Sequence, residues 1–306
     1  MSDSAQTPHA DEVETEATDD RPDEPEGESH VEPIETGADA VVAALKSAGV
    51  DYLFGVQGGA IMPVYDALYQ ESDMTHVTMA HEQGAVHAAD AYGIVTGDPG
   101  VCMATSGPGA TNLVTGIADA SMDSDPLIAL TGQVPTDLVG NDAFQETDTI
   151  GVTQPITKYN HFASDADEVG DDVSTAFALA DEGRQGPTLV DLPKDVTQPE
   201  TDVEPGKPET PDTYNPPEKA DEDAVSEAAD VIADAEKPII LAGGGVIKAN
   251  ASDELRAFAK EHDIPVMTTM PGTGAFDQTH ELSMGIAGMH GTGYANMAIT
   301  LTDCML

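Results

Sequence analysis

Residues 100–123, GVCMATSGPGATNLVTGIADASMD, decide the fold. Val101–Thr105 is a short apolar run of strand length, Ser106-Gly107-Pro108-Gly109 is a tight loop, and Ala110–Met122 places its apolar residues at helical spacing. Strand, glycine loop and helix in that order form the repeating unit of a parallel sheet. The same alternation extends on both sides. Towards the N-terminus it predicts helices over 41–48, 60–69 and 82–95, and strands over 52–56 and 75–80. Thr36 and Asp39 are placed as a helix cap with an acid at its third position. Towards the C-terminus it predicts strands over 126–130 and 188–192 and a helix over 173–181. Between them, residues 134–165 read as one long connection with little periodicity. The short apolar strands imply an α/β fold with a doubly wound parallel sheet, covered on both faces.

Residues 198–218 are rich in Pro, Glu, Asp and Thr and read as a linker. A second α/β pattern follows, with helices over 223–235 and 252–262, the latter capped by Ser252, and strands over 238–241 and 265–269. A further strand begins at Asp303-Cys304-Met305-Leu306. The expected organisation is an acidic disordered tail (1–36), a first domain (37–197), a linker (198–218) and a partial Rossmann-like second domain (219–306).

The 306 residues carry 57 Asp+Glu against 11 Lys+Arg, a formal net charge of −46. That balance excludes a nucleic-acid binder, which needs a basic face, and disfavours anionic membrane surfaces. No run of about 18 apolar residues suggests a transmembrane span, and the N-terminus has neither the basic nor the apolar region of a signal peptide. The two cysteines, Cys102 and Cys304, form neither a disulfide framework nor a zinc pattern, which fits a cytoplasmic protein. The tail holds 13 of the acids, yet the remainder is also strongly acidic. Dense carboxylates spread over both halves point to a high-salt cytoplasm, where screening weakens their repulsion; a binder of basic partners is the alternative.

His81-Glu82 follows a strand and opens a helix. A zinc-protease pattern needs a second His four positions after the first, where Ala85 stands; His87 is six residues on, so zinc is discarded there. An acid at a helix start is often only a cap favoured by the dipole. Glu82, however, lies at the carboxyl end of a strand, where open α/β sheets bind ligands. The loop at 105–112 could receive a phosphate on the helix N-terminus, but lacks the Lys of a P-loop. Gly243-Gly244-Gly245 before a helix and the loop Gly288-Met289-His290-Gly291 are equally weak signals alone. Phe144-Gln145-Glu146 lies in the long connection, where aperiodic loops are commonly functional; Phe144 could equally anchor that loop.

Eight ordered blocks carry a more specific resemblance: FGVQGGAIMPVYDAL (54–68), HEQGAVHAADAYG (81–93), ATSGPGATNLVTGIADA (104–120), LTGQVP (130–135), DAFQETD (142–148), PITKYN (155–160), GRQGPTLVDLPKDV (183–196) and AGMHGTGYAN (287–296). Together they resemble the catalytic subunit of the acetohydroxyacid (acetolactate) synthases, thiamine-diphosphate enzymes, over roughly its first half. The resemblance implies a pyrimidine-binding domain followed by the start of an FAD domain. It also implies that Mg²⁺ and diphosphate ligands lie in a third domain outside this chain, so no metal ligand is expected here and the chain is expected to be inactive alone.

By resemblance, Glu82 hydrogen-bonds the pyrimidine ring of a cofactor held by a partner chain, and Gly59, Pro108 and Asn112 border that ring. Gln145 and Phe144 match the substrate channel, and Lys158 a cation near its mouth. Arg184, Gly243, Gly244, Gly245, Thr269, Gly288, Met289 and His290 match FAD contacts, although Pro271 and Thr273 stand where the family has aliphatic residues. The implied reaction joins two pyruvates, or pyruvate and 2-ketobutyrate, with loss of CO₂, in branched-chain amino-acid biosynthesis. The implied assembly is a homodimer or tetramer with a regulatory small subunit. Alternatives are another thiamine-dependent decarboxylase or carboligase, such as glyoxylate carboligase, or a non-catalytic dimerisation module.

Overall fold

The computed structural model describes residues 34–217 and 219–306. The expected acidic tail therefore lies outside the described residues except for Ile34–Thr36. Thr36 belongs to the fold. Its hydroxyl accepts from Asp39 N while the Asp39 carboxylate accepts from Thr36 N at 2.9 Å, the reciprocal cap expected from the sequence.

Six parallel strands form the first sheet: β1 (Tyr52–Gly55), β2 (Thr75–Thr78), β3 (Gly100–Ala104), β4 (Leu127–Gln133), β5 (Tyr159–Phe162) and β6 (Pro187–Pro193). Their order is β2-β1-β3-β4-β6-β5. The associated helices are α1 (Gly37–Ser47), α2 (Met62–Gln70), α3 (Glu82–Thr96), α4 (Pro108–Asp123), the short α5 (Thr149–Thr153), α6 (Val169–Asp181) and the single turn α7 (Lys194–Thr197).

Alternation along the central strands divides the core in two. Leu53, Val101, Met103, Ile128, Leu130, Val190 and Leu192 pack with α1, α2 and α6. Their strand neighbours Cys102, Ala104, Leu127, Ala129 and Leu189 pack with α3 and α4. Because successive side chains point to opposite faces, uniformly apolar strands need helices on both sides. The doubly wound α/β expectation holds for this reason. Burial also pushes the Cys102 thiol pKa upward, leaving an inert core residue.

A second parallel sheet contains β7 (Pro238–Ala242), β8 (Val266–Thr268), β9 (Ser283–Ile286) and β10 (Cys304–Met305), in the order β10-β7-β8-β9. Read from the other edge this is the third, second, first and fourth strand, the core of the Rossmann order. Its helices are α8 (Glu222–Asp234), α9 (Gly244–Lys248), α10 (Ser252–His262) and α11 (Gly293–Leu301). Residues 198–217 contain no helix or strand beyond the single bridge from Glu200 to Thr36.

Several sequence expectations need correction. The connection over 134–165 is not structureless: it contains α5 and β5, an edge strand whose four residues are all half-buried and lack the apolar alternation used to recognise strands. β9 and α11 were also missed. β9 contains Gly285 at φ +73° and pairs across an irregular register with β8, so local propensity conceals it. Ser252 does not cap α10; it is the first helical residue, and no side-chain cap bond is present there. No described helix is long and apolar enough to cross a membrane.

Candidate functional site

The chain leaves β1 for β2 on one side, then crosses to β3 on the other. That reversal opens a crevice at the carboxyl ends of β1 and β3, where open α/β sheets place ligands. The loop after β1 contributes Gly58 and Gly59; the loop after β3 contributes Thr105–Gly109. The two loops are tied together by Ala60 N, which donates to Thr105 Oγ1 at 3.2 Å, and by Gly58, where any Cβ would collide with the Thr105 side chain. A Cβ at exposed Gly59 would meet nothing within 4 Å, so its backbone edge is open to a bound group.

Glu82 enters this region from the first turn of α3. His81 caps the helix, its Nδ1 accepting from Gln83 N at 3.0 Å. The half-buried Glu82 carboxylate accepts from Asn112 Nδ2 at 2.9 Å through Oε2. Among the described residues its Oε1 has no hydrogen-bond partner, and it lies 3.6 Å from where a Cβ on Gly109 would be. Pro108 occupies the first position of α4, where its missing N–H costs nothing, and thereby sets the helix that presents Asn112. Glu82, Gly59, Pro108 and Asn112 are thus brought together at one crevice.

Gln145 joins them through its backbone. Gly107 has φ +58°, and a side chain there would come within 2.5 Å of the Gln145 carbonyl oxygen. Gln145 itself takes φ +57°, uncommon outside glycine. Glu146 holds this turn: its carboxylate accepts from Gly140 N and from Ala143 N, and those bonds draw its pKa below the ordinary value. Phe144 is 86% exposed, so it projects from the loop and does not anchor it.

The anchor is a buried polar network absent from the sequence expectations. Asp191 on β6 accepts from Thr131 Oγ1 at 2.7 Å and Gln133 Nε2 at 2.9 Å, both on β4. Gln133 Nε2 also donates to Thr147 O at 2.9 Å, fastening the Gln145 loop to the sheet. Burial, opposed by these hydrogen bonds, raises the Asp191 pKa to about 7. The available signal was a Gln and an Asp in strands otherwise fully buried and nearly apolar.

Lys158 does not join the site. It precedes β5, so it sits at the amino edge of the sheet, opposite Glu82. Its Nζ donates to Glu182 O and stands 5.0 Å from the Tyr214 ring centroid, securing the segment after residue 198. The lysine at the carboxyl edge is Lys194, which follows β6 directly.

A separate cleft of about 580 Å³ is lined by Arg184, Ser124, Gly244, Gly245, Lys248 and Pro271, among others. Arg184 Nε donates to Ser124 Oγ at 2.8 Å, and Lys248 pairs with the buried Asp125, joining the two sheets' surroundings. Gly243 follows β7, Thr269 follows β8, and Gly288, Met289 and His290 follow β9. All therefore lie on the carboxyl edge of the second sheet. Met289 is 94% exposed, and its loop is fixed by reciprocal bonds between Asn296 and the Gly288 backbone, both 2.8 Å. The structure gathers Arg184, Gly244 and Gly245 in the cleft; Gly288, Met289 and His290 share the sheet edge without lining it.

Comparison with known proteins agrees with these two sheets. Residues 35–152 match the N-terminal TPP binding domain of thiamine pyrophosphate enzymes, and residues 225–306 match their central domain. Over 274 residues the chain is 50% identical to a probable acetolactate synthase large subunit of Methanocaldococcus jannaschii, covering 88% of this chain and 46% of that protein. It is 49% identical over 276 residues to an acetolactate synthase large subunit of Parasynechococcus marenigrum, covering 89% and 45%. A Corynebacterium glutamicum large subunit is 50% identical over 272 residues, covering 89% and 43%. The chain spans a little under half the length of these relatives.

Proposed function

Because the chain belongs to the thiamine pyrophosphate enzymes and carries their N-terminal and central domains, we propose that it forms the corresponding part of an acetolactate synthase catalytic subunit. The proposed reaction condenses two pyruvates, or pyruvate with 2-ketobutyrate, and releases CO₂. One observation supports this most directly: a half-buried carboxylate at a helix start, Glu82, has one oxygen fixed by Asn112 and the other, among the described residues, without a partner beside a glycine-lined crevice.

The residues suit the pyrimidine end of thiamine diphosphate. Glu82 Oε1 would hold a proton shared with a ring nitrogen, and Asn112 would keep the carboxylate in position. The first turn of α3 favours the negative charge. Gly59 would leave its backbone open to the ring, while Gly107 and the Glu146-braced turn would present Gln145 and Phe144 at the substrate's approach. When bound, thiamine diphosphate would supply the electron sink for loss of CO₂. Its Mg²⁺ and diphosphate ligands would come from the portion of the relatives that this chain does not span.

We assign the cleft containing Arg184, Gly244 and Gly245 to FAD, with Thr269 and the Gly288–His290 loop on the same sheet edge. Glycines there would permit close backbone approach, and Arg184 would meet a phosphate. A partner copy, a regulatory subunit and a high-salt cytoplasm complete the proposal; the last is motivated by the net charge of −46.

The test joins this chain to the C-terminal portion of the Methanocaldococcus jannaschii relative. Acetolactate formation from pyruvate is measured with thiamine diphosphate, Mg²⁺ and FAD in high salt. Glu82→Gln is expected to lower turnover by at least about 100-fold, the lower bound for a positioned proton-transfer group. Near-normal turnover in that variant refutes the assignment. FAD binding, read by flavin absorbance in the chain itself, is expected to weaken with Arg184→Ala.

A further inference from the structure

Among the described residues, Asp90 is the one buried carboxyl that the proposed chemistry leaves unused and the structure leaves without a complete set of partners. It lies on α3, two turns beyond Glu82, with 6% of its surface exposed. Its Oδ1 is buried and, among the described residues, has no hydrogen-bond partner. His87 is one turn earlier on the same helix face. Asp119 reaches the pair from α4, which packs against α3 through Val86, Ala89, Leu113, Ile117 and Ala120. One ligand atom from each of His87, Asp90 and Asp119 lies within 4.8 Å of the others, and His87 Nδ1 is 3.8 Å from Asp119 Oδ2.

We propose that His87, Asp90 and Asp119 form a binding site for a divalent transition-metal ion such as Zn²⁺, which cross-links α3 to α4. The geometry is near what such a site needs. Ligands at about 2.0–2.2 Å from a tetrahedral centre are separated by about 3.3–3.6 Å, so modest side-chain rotations close the triad. One imidazole with two carboxylates is a mixed nitrogen–oxygen set. It suits Zn²⁺ or Co²⁺ better than Mg²⁺, which prefers oxygen alone. Three protein ligands leave positions for water. The ion would also relieve the unpartnered Asp90 oxygen, which otherwise stands in the field of other acids. Burial first, then Asp125, Asp119 and Asp123, raises the Asp90 pKa to about 7, with nearby Lys248 opposing. The sequence did not show this site because His87 and Asp90 meet Asp119 only through helix packing. The proposal stands independently of the assignment of Glu82, since the ion would brace the helices carrying Glu82 and Asn112 without touching either.

The experiment titrates Zn²⁺ into the metal-free full chain by calorimetry and follows its melting temperature. Co²⁺ is used in parallel for its visible spectrum. One saturable site is expected, with a melting temperature that rises with Zn²⁺ as mass action requires. His87→Ala and Asp119→Asn should each weaken binding at least tenfold and abolish the rise; His87→Ala should also remove the Co²⁺ band. Asp119 is on the surface, so its variant separates loss of metal from loss of fold. Equal Zn²⁺ affinity in both variants and the wild type overturns the proposal. An equal rise with Mg²⁺ also overturns it, because that would reflect general charge neutralisation of an acidic chain.

Discussion

Replacing Gln133 with Met tests whether the buried network, and not Phe144, holds the Gln145 loop. Gln133→Met keeps side-chain length and removes three hydrogen bonds, each 2.9 Å: to Asp191 Oδ2, to Thr147 O and from Val134 N. Each buried group left unpaired costs about 1–3 kcal/mol. Thr147 can recover water as the loop lifts, so the expected loss is about 3–5 kcal/mol. Asp191 sharpens the test. Without the Gln133 donor its ionised form is supported less, so the penalty should be larger at pH 8 than at pH 6. The assay is urea unfolding at both pH values with amide exchange over residues 143–153. With a slope of about 2–3 kcal/mol per molar, the midpoint should fall by about 1–2 M. Exchange should accelerate around Thr147 before it does in β4. A midpoint shift equivalent to less than about 0.5 kcal/mol, typical of a surface change, together with unchanged exchange refutes the network's role.

Phe144→Ala should alter stability by less than about 0.5 kcal/mol despite removing an aromatic ring, because the ring is 86% exposed; a loss of core-like size in thermal unfolding would restore it as an anchor. Asp191 titrates near 7 when folded against an ordinary 3.8, so the native state binds its proton more tightly. Its contribution should therefore fall as pH rises from about 4 to about 7 and level off above, and Asp191→Asn should gain on the wild type across that window in pH-dependent unfolding. Dialysis from molar salt into dilute buffer should lower the melting temperature and loosen the fold by circular dichroism, since screening of the 57 acidic residues is withdrawn. Unchanged spectra and melting would remove salt adaptation as the reason for the charge.

The sheet centre was legible in sequence because β3, β4 and β6 are wholly buried and their apolar residues face helices on both sides. Glu82 and Asn112 were legible as positions after strands, while their 2.9 Å bond required the tertiary fold. What escaped was edge structure. β5 and β9 are half-buried throughout, so neither an apolar run nor clean alternation marks them. Lys158 is placed near the channel mouth by resemblance alone, and no local signal corrects that placement, because its neighbours in the fold, Glu182 and Tyr214, are 24 and 56 residues away in sequence.

The scarcity of cations makes their placement informative. Lys46 pairs with Glu71 and Asp73, joining the end of α1 to the turn after α2. Lys158 and Tyr214 both engage Glu182 O and secure the segment between the sheets. Arg184 reaches Ser124, and Lys248 reaches Asp125, at the cleft assigned to FAD. These pairs need not respond alike to salt. Asp125 has only 5% of its side chain exposed, so its bond to Lys248 is shielded from mobile ions, whereas the Lys46–Asp73 contact, with Asp73 60% exposed, is open to them. High salt would then weaken repulsion among the surface acids while largely sparing the lysine that joins the two sheets' surroundings. A strongly acidic chain can in this way keep the Lys248–Asp125 link between its two sheets' surroundings under conditions that screen most of its surface charge.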